Sequence, residues 1–260
     1  MTDRGSEHYT KFFSLSKPLG EAVFELLIVT RDQVGATSKI TGEIARHNID
    51  ILSINGANDA DIERFVLTIF CDFAKADCKV EQIVGELRKF PFVTKAEYVN
   101  AKSRLFDRFH FPIRIMDKHR AILMRVDPLL RVQKHLQEHL GSAGESIMFE
   151  EGQSYARETW LQYKKAVPNA NHEEILENVK DGLRATGWGL FEFQETQNAF
   201  QVTIRNPPRL EDNERFQSRF LYGITASVIE ALYEFKVKVD SANYDKQSDI
   251  LTLTLEKLKK

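Results

Sequence analysis

Residues 23–35 read VFELLIVTRDQVG, a largely apolar run that closes on a glycine. Both alternating sets of positions in the run are mostly apolar, which predicts a strand covered on both faces and placed inside a sheet. After Gly35, Ile40 and Ile44 lie four residues apart while charged residues take the other side. This spacing predicts an amphipathic helix of about three turns that ends near His47.

The chain after this helix alternates between strand and helix patterns. A second strand is predicted over 49–54, a turn over 55–59 and a third strand over 65–73, paired antiparallel with the second. Apolar residues then recur at helical spacing from Val80 to Leu87, Phe90-Pro91 stops the helix, and 92–99 read as a fourth strand. The order is βαββαβ, with both helices expected on one face of a four-stranded antiparallel sheet.

With Arg31-Asp32-Gln33-Val34-Gly35 after the first strand and His47-Asn48-Ile49-Asp50-Ile51 after the first helix, residues 22–100 resemble an ACT domain. The resemblance implies that the glycine loop beside the helix N-terminus binds a small effector, commonly an amino acid. Free N–H groups and the positive helix end favour an anion there. The implied ligand-binding residues are Asp32, Gln33, Val34, Gly35, Ala36, Asn48 and Ile49. Val34 replaces a proline common in the family, and the alternative is that Asp32 and Gly35 only make the turn.

The apolar patterns of the second half of the chain predict another α+β domain, with helices packed on an antiparallel sheet. A short strand is expected over 121–126, followed by a helix that Asp127 caps and Gly141 ends. Three more helices are predicted, over 144–165, 175–183 and 216–232. Four strands are predicted, over 188–193, 200–204, 236–244 and 249–258.

This half resembles the V4R domain, a small-molecule-binding domain of the 4-vinyl reductase type, over residues 110–258. The resemblance rests on Phe111-Pro112-Ile113, on Leu140-Gly141 with Glu150-Glu151-Gly152, and on Phe220 to Gly223 before a closing hairpin. Many members carry two cysteines in that hairpin, whereas this chain has Tyr244 and Thr252, so the family's cysteine-based metal site is not expected. Large aromatic residues are candidates for a second, apolar pocket or for plain core packing: Tyr155, Trp188, Phe216 and Phe220.

The domain layout predicted from these patterns is a polar tail (1–21), the ACT domain (22–100), a linker (101–118) and the V4R-like domain (119–260). The 36 basic and 38 acidic residues give a net charge of −2, which argues against nucleic-acid binding. No apolar run approaches the length of a membrane span, and the N-terminus lacks a signal-peptide core, so we expect a cytoplasmic protein without membrane contact. Cys71 and Cys78 are expected to be reduced packing residues, although Cys78 near a helix start could be reactive.

The sequence contains no GxSxG, P-loop, HExxH or GxGxxG motif, which argues against the commonest catalytic chemistries. His135 and His139 are spaced for a shared metal but lack an evident third ligand, so no catalytic residue, metal or cofactor is expected. We expect a ligand-responsive regulatory protein that forms a homodimer through its ACT domains and binds a small-molecule effector. The alternatives are a structural interaction protein with a protein partner, and an accessory of an enzyme in reductive metabolism.

Overall fold

The computed structural model describes residues 14–15, 22–59, 62–101, 105–110, 112–115, 119–167, 169–210 and 217–258. The chain divides into two compact units, Met1–Ile122 and Leu123–Lys260. The described residues form an α+β protein with two antiparallel four-stranded sheets and six helices, which confirms the predicted fold class. Apart from residues 14 and 15, the predicted polar tail lies outside the described residues.

The described residues of the first unit form eight strands, four of them only two residues long, and two helices. In chain order they are β1 (Ser14–Leu15), β2 (Val23–Thr30), α1 (Ala36–Arg46), β3 (Asp50–Asp59), β4 (Arg64–Asp72), α2 (Val80–Leu87), β5 (Val93–Asn100), β6 (Leu105–Phe106), β7 (Arg114–Ile115) and β8 (His119–Arg120). The four long strands form one sheet in the order β3-β4-β2-β5, with every neighbouring pair antiparallel. This is the ferredoxin-like βαββαβ arrangement that the ACT resemblance implies.

One face of this sheet packs against both helices. Leu26 and Ile28 of β2 are fully buried in a cluster that also contains Ile40 of α1 and Ile83 of α2. These residues are apolar at strand spacing on the sheet and at helical spacing on the helices, so the two periodicities meet in one core. The prediction that both helices cover the same face is therefore confirmed.

The predicted turn at residues 55–59 is wrong, because β3 continues through Asp59 and pairs with β4 along its whole length. A bulge between Ile51 and Ser53 accommodates the extra residue. Gly56 leaves room for the Phe65 ring, whose nearest atom would lie 2.8 Å from a Cβ at that position. Pairing across the ladder overrides the turn-like composition of this segment.

In the second unit, the part of the chain that the structure describes forms four helices and four strands. They are α3 (Val126–Leu140), α4 (Ser142–Ala166), α5 (His172–Ala185), β9 (Leu190–Glu195), β10 (Ala199–Arg205), α6 (Arg219–Tyr233), β11 (Val237–Asp245) and β12 (Ile250–Lys257). The strands form an antiparallel sheet in the order β11-β12-β10-β9. Its core combines the buried residues of α6 with those of the sheet, including Phe200, Val202 and Leu253. The predicted arrangement of helices packed on an antiparallel sheet is confirmed.

Helices α4 and α6 make the closest contact in this unit. A Cβ on Gly152 would lie 2.1 Å from the carbonyl oxygen of Phe220, and one on Gly223 would lie 2.0 Å from the carbonyl oxygen of Phe149. Only glycine permits backbones to approach this closely. The two glycines therefore set the crossing point of the two helices.

Two details at the start of this unit correct the sequence analysis. No strand forms over 121–126, since residues 121–125 are irregular and α3 begins at Val126. Asp127 lies inside the first turn and does not cap the helix; its carboxylate accepts a hydrogen bond from Arg125 at 2.8 Å. Gly141, with φ 55°, ends α3 as predicted.

Among the described helices, none combines the length and apolar character needed to cross a bilayer.

Candidate functional site

The loop between β2 and α1 presents an open helix N-terminus at the surface. Asp32, Gln33 and Gly35 are exposed, and the Val34 side chain is 99 % exposed. Gly35 is the N-cap residue with φ 80°, and no described residue lies within 4 Å of a Cβ built on it. The helix has no side-chain cap and no acidic residue in its first turn. The Ala36 N–H donates to the Gln33 carbonyl oxygen at 3.1 Å, so the N–H groups of Thr37 and Ser38 are the ones open to an anion from outside.

The seven residues implied by the ACT resemblance do not form one cluster within this unit. Asp32 to Ala36 surround the start of α1, whereas Asn48 and Ile49 follow its end, about 16 Å away for a helix of 11 residues. Asn48 has φ 55° and its N–H donates to Ala45, a geometry that terminates the helix. Ile49 is 5 % exposed and belongs to the core. Within the unit, Asp32 to Ala36 lie together, and of these Ala36 is buried.

A second polar cluster surrounds His47 at the end of α1. The Nδ1 atom of His47 lies 2.8 Å from Asp77 Oδ1, and Nε2 lies 2.8 Å from Glu86 Oε2. The hydrogen bonds with Asp77 and Glu86 raise the pKa of His47, and the bond from His47 lowers the pKa of Glu86 to about 2. Arg46 pairs with Glu43 and lies 3.5 Å from Glu86. These contacts tie α1 to α2 and to the loop before it.

Cys78 belongs to the same region, one residue ahead of the N-cap Lys79 of α2. The expected position near a helix start is therefore correct. Burial, followed by the negative charges of Asp77 and Glu86, raises the pKa of the Cys78 thiol. The free thiol is thus not activated as a nucleophile by its surroundings. Cys71, buried on β4, is likewise a free cysteine.

The sheet face opposite the helices carries a buried carboxylate that the sequence analysis did not single out. Glu25 is 0 % exposed and accepts the N–H of Arg108 at 3.0 Å. Burial raises the pKa of Glu25 to about 7, and the neighbouring Asp107 adds to the effect. The signal available in the sequence was a charged residue inside an otherwise apolar strand.

Asp107 is held in a dense set of hydrogen bonds beside Glu25. Its carboxylate accepts from the Thr68 hydroxyl at 3.1 Å and lies 2.7 Å from His110 Nδ1. Burial alone would raise the pKa of Asp107, but the bonds from the ring and N–H of His110 lower it far below the usual range. Asp107 in turn raises the pKa of His110. These hydrogen bonds attach residues 107–110 to the sheet.

Three of the four aromatic residues proposed for a second pocket lie together in the second unit. The ring centroids of Tyr155, Trp188 and Phe220 are 5.5 to 6.1 Å apart, and Tyr155 is 42 % exposed. Phe216 lies outside the described residues. Because the three rings contact one another, an aromatic ligand would have to lie beside them or separate them.

The second unit also buries polar side chains at the start of α6. Ser218 caps this helix and donates to the Gln133 side-chain oxygen at 2.6 Å. Gln133 is 3 % exposed, and its Nε2 has no hydrogen-bond partner among the residues that the structure describes. A buried amide donor without an acceptor is costly, so this nitrogen is suited to an acceptor atom of a ligand. His135 and His139, by contrast, are exposed and contact each other on the surface of α3.

The chain is similar to several solved structures. No protein-family model and no curated protein sequence matches the chain. Among solved structures it is similar to the ACT domain of GTP pyrophosphokinase from Chlorobium tepidum, with 24 % identity over 30 % of this chain and 96 % of that one, at a TM-score of 0.25. It is similar to the C-terminal domain of the MgtC protein from Mycobacterium tuberculosis, with 18 % identity over 30 % and 85 % of the two chains, at a TM-score of 0.26. It is also similar to the phenol-responsive sensory domain of the transcription activator PoxR, with 11 % identity over 54 % and 78 %, at a TM-score of 0.44.

Proposed function

We propose that the protein is a non-catalytic, ligand-responsive regulator whose first unit binds a small effector with a carboxylate, such as an amino acid, at the start of α1. The open, uncapped N-terminus behind Gly35 carries this proposal. Four of the five residues around it are exposed, and the left-handed glycine leaves free space for the ligand to approach the backbone. The absence of common catalytic motifs from the sequence supports a role other than catalysis.

The charge around the loop favours an anion. Arg31 precedes the loop, Lys39 lies one turn into the helix, and no acidic residue occupies the first turn. The helix dipole adds a partial positive charge at the same end. Asp32 is the one acidic residue of the loop, and it is suited to receive the amino group of an amino acid.

The second unit is proposed to bind an apolar or aromatic compound. The aromatic group formed by Tyr155, Trp188 and Phe220 supplies an apolar surface for it. The resemblance to V4R domains supports the same role.

A homodimer through the first unit is also proposed. Strand β3 lies at one end of the sheet, and residues 54–59 on it are exposed. An edge strand with free N–H and C=O groups is a natural site for pairing with a second copy. The alternative of a scaffold protein would use the same edge for a different partner.

The effector proposal is tested by calorimetry with a panel of amino acids on wild type, Ser38→Glu and Ser38→Gln. Ser38 is exposed at the third helical position, and changing it leaves the backbone of Gly35 undisturbed. A glutamate there places a carboxylate at the helix end, which stabilises α1 by about 0.3–1 kcal/mol and competes with an anionic ligand. We expect binding to be lost in the Glu variant and kept in the neutral Gln control. Equal binding by all three proteins would place the effector elsewhere, and no amino acid bound by wild type would contradict the proposal.

A further inference from the structure

Three different metal-ligating groups meet where the end of α1 faces the loop before α2. His47 is the C-cap residue of α1, and its carbonyl oxygen accepts the N–H of Asp77 at 3.3 Å. Cys78 is the next residue after Asp77 in the chain. One donor atom from each of His47, Asp77 and Cys78 lies within 4.8 Å of the others. The backbone contact between His47 and Asp77 holds the two segments together.

The histidine ring is already oriented as a metal ligand would be. Its Nδ1 faces Asp77, and its Nε2 lies 2.8 Å from the Glu86 carboxylate. Histidines that bind metals almost always donate their other ring N–H to a carboxylate or carbonyl, which fixes the ring and makes the ligating nitrogen more basic. Glu86 occupies that supporting position.

A second set of donors, Glu43, His47 and Glu86, lies on the other side of the ring. Arg46 already forms ion pairs with Glu43 and Glu86, the two carboxylates of this set. That set offers no sulfur, and a cation there would compete with the guanidinium. The set containing Cys78 is therefore the better site.

We propose that His47 Nδ1, Cys78 Sγ and the Asp77 carboxylate form a binding site for a divalent cation of the zinc class, oriented by Glu86 from the other side of the imidazole. One nitrogen, one sulfur and one oxygen ligand suit Zn²⁺ or Co²⁺, whereas Mg²⁺ and Ca²⁺ prefer oxygen alone. The coordinating thiol loses its proton to solvent when the metal binds.

The donor atoms, which lie within 4.8 Å of one another, have to shift by up to about 1 Å to reach tetrahedral spacing. Tetrahedral zinc with bonds of about 2.0–2.3 Å keeps its ligand atoms roughly 3.3–3.8 Å apart. The Asp77 oxygen lies 2.8 Å from Nδ1, and this side chain is 55 % exposed, so it is free to move outward by about half an ångström. An open depression of about 500 Å³, lined by residues 76–79 with Glu81 and Gln82, lies beside the ligands. A fourth ligand, water or a small molecule, can reach the metal from there.

The test uses the full chain freed of metal by a chelator, then titrated with Zn²⁺ in a calorimeter and with Co²⁺ in a spectrophotometer. We expect stoichiometric Zn²⁺ binding and a near-ultraviolet sulfur-to-cobalt charge-transfer band. In Cys78→Ser the band is lost and Zn²⁺ affinity falls roughly tenfold or more. Glu43→Gln is the matched control and keeps both signals. Because Cys71 remains in every variant, a band from Cys71 would persist in Cys78→Ser, and loss of the band therefore assigns it to Cys78.

Three results would overturn the proposal: no stoichiometric Zn²⁺ binding by wild type, a cobalt–sulfur band that persists in Cys78→Ser, or binding that depends on Glu43 and not on Cys78. Asp77→Asn provides a second variant at an exposed ligand, where folding is not at stake, and it is expected to weaken Zn²⁺ binding as well. Circular dichroism of each variant verifies that the fold is intact. None of these measurements depends on an effector at the start of α1.

Discussion

Replacing Gly223 by alanine is expected to destabilise the second unit, because the added methyl group has no space between α4 and α6. The new Cβ would lie 2.0 Å from the Phe149 carbonyl oxygen and 2.9 Å from the Gln153 nitrogen. Both are backbone atoms, so no side chain can rotate away. An ordinary carbon–oxygen contact is about 3.3 Å, which requires the helices to separate by roughly 1.3 Å.

The energy of this change has two opposing parts. Overpacking a core costs about 1–3 kcal/mol and occasionally more, and moving a whole helix that carries Leu221, Ile224 and Val228 belongs at the upper end. Alanine in place of a helical glycine returns about 1 kcal/mol through helix propensity. The expected net loss is about 2 kcal/mol or more in the free energy of unfolding.

Tryptophan fluorescence measures this unit selectively, since the two tryptophans, Trp160 and Trp188, both belong to it. With a urea dependence of about 2 kcal/mol per molar, the unfolding midpoint should fall by about 1 M. Gly42→Ala is the control, because Gly42 lies on α1 and no described residue comes within 4 Å of a Cβ placed there. That variant should leave the tryptophan transition unchanged and stabilise the first unit by about 0.5–1 kcal/mol.

An unchanged or higher midpoint for Gly223→Ala would refute the close crossing of α4 and α6. The double variant with Gly152→Ala provides a further check. Separating the helices for one methyl group makes room for the other, so the double variant should lose less stability than the sum of the two single variants.

Two further predictions concern the first unit. Glu25→Gln should stabilise it by about 3 kcal/mol at pH 8. The folded state holds the Glu25 proton up to a pKa of about 7 against an ordinary value of 4.5, so wild type loses stability as pH rises between these values. The extra stability of the variant should therefore vanish below pH 4.5. Hydrogen exchange of the β2 amides measures the unfolding free energy of both proteins across this pH range. A difference between them that does not change with pH would contradict a raised pKa for the buried Glu25 carboxyl. Ile54→Lys, on the exposed edge strand β3, should reduce the mass measured by light scattering from twice 30.0 kDa to that of one chain. The control Ile62→Lys, at a similarly exposed position, should leave the mass unchanged. A monomeric wild-type protein would contradict the proposed dimer.

The elements that the sequence predicts well are those whose own periodicity decides where they pack. The helical spacing of Ile40 with Ile44 and the apolar run of β2 meet in one core, and both were evident locally. The segment 55–59 could not be predicted in this way. Its Asn-Gly and Asn-Asp pairs favour a turn by composition, but hydrogen bonding to β4 and the packing of Phe65 over Gly56 stabilise a strand.

The candidate sites divide along the same line. Asp32 to Ala36 are contiguous, so the sequence predicts that they lie together. The family resemblance adds Asn48 and Ile49, although the predicted helix already places these two beyond its far end. His47 and Glu86 are separated by 39 residues, and Glu25 and Arg108 by 83, with no motif that links them. Such clusters depend on tertiary structure, which no spacing rule in a single sequence contains.

The attachment of residues 107–110 to β2 and β4 bears on how this module could be inherited. A gene fragment that ended after β5 would encode all four long strands and both helices, yet it would leave the Glu25 carboxylate and the Thr68 hydroxyl without their partners. The unit that can be exchanged between proteins is therefore residues 22–110, because residues 107–110 have to be inherited together with the sheet. Where an evolving lineage exchanged the segment after β5, we expect position 25 to have changed with it, because a buried acid and the backbone that receives it have to be replaced together.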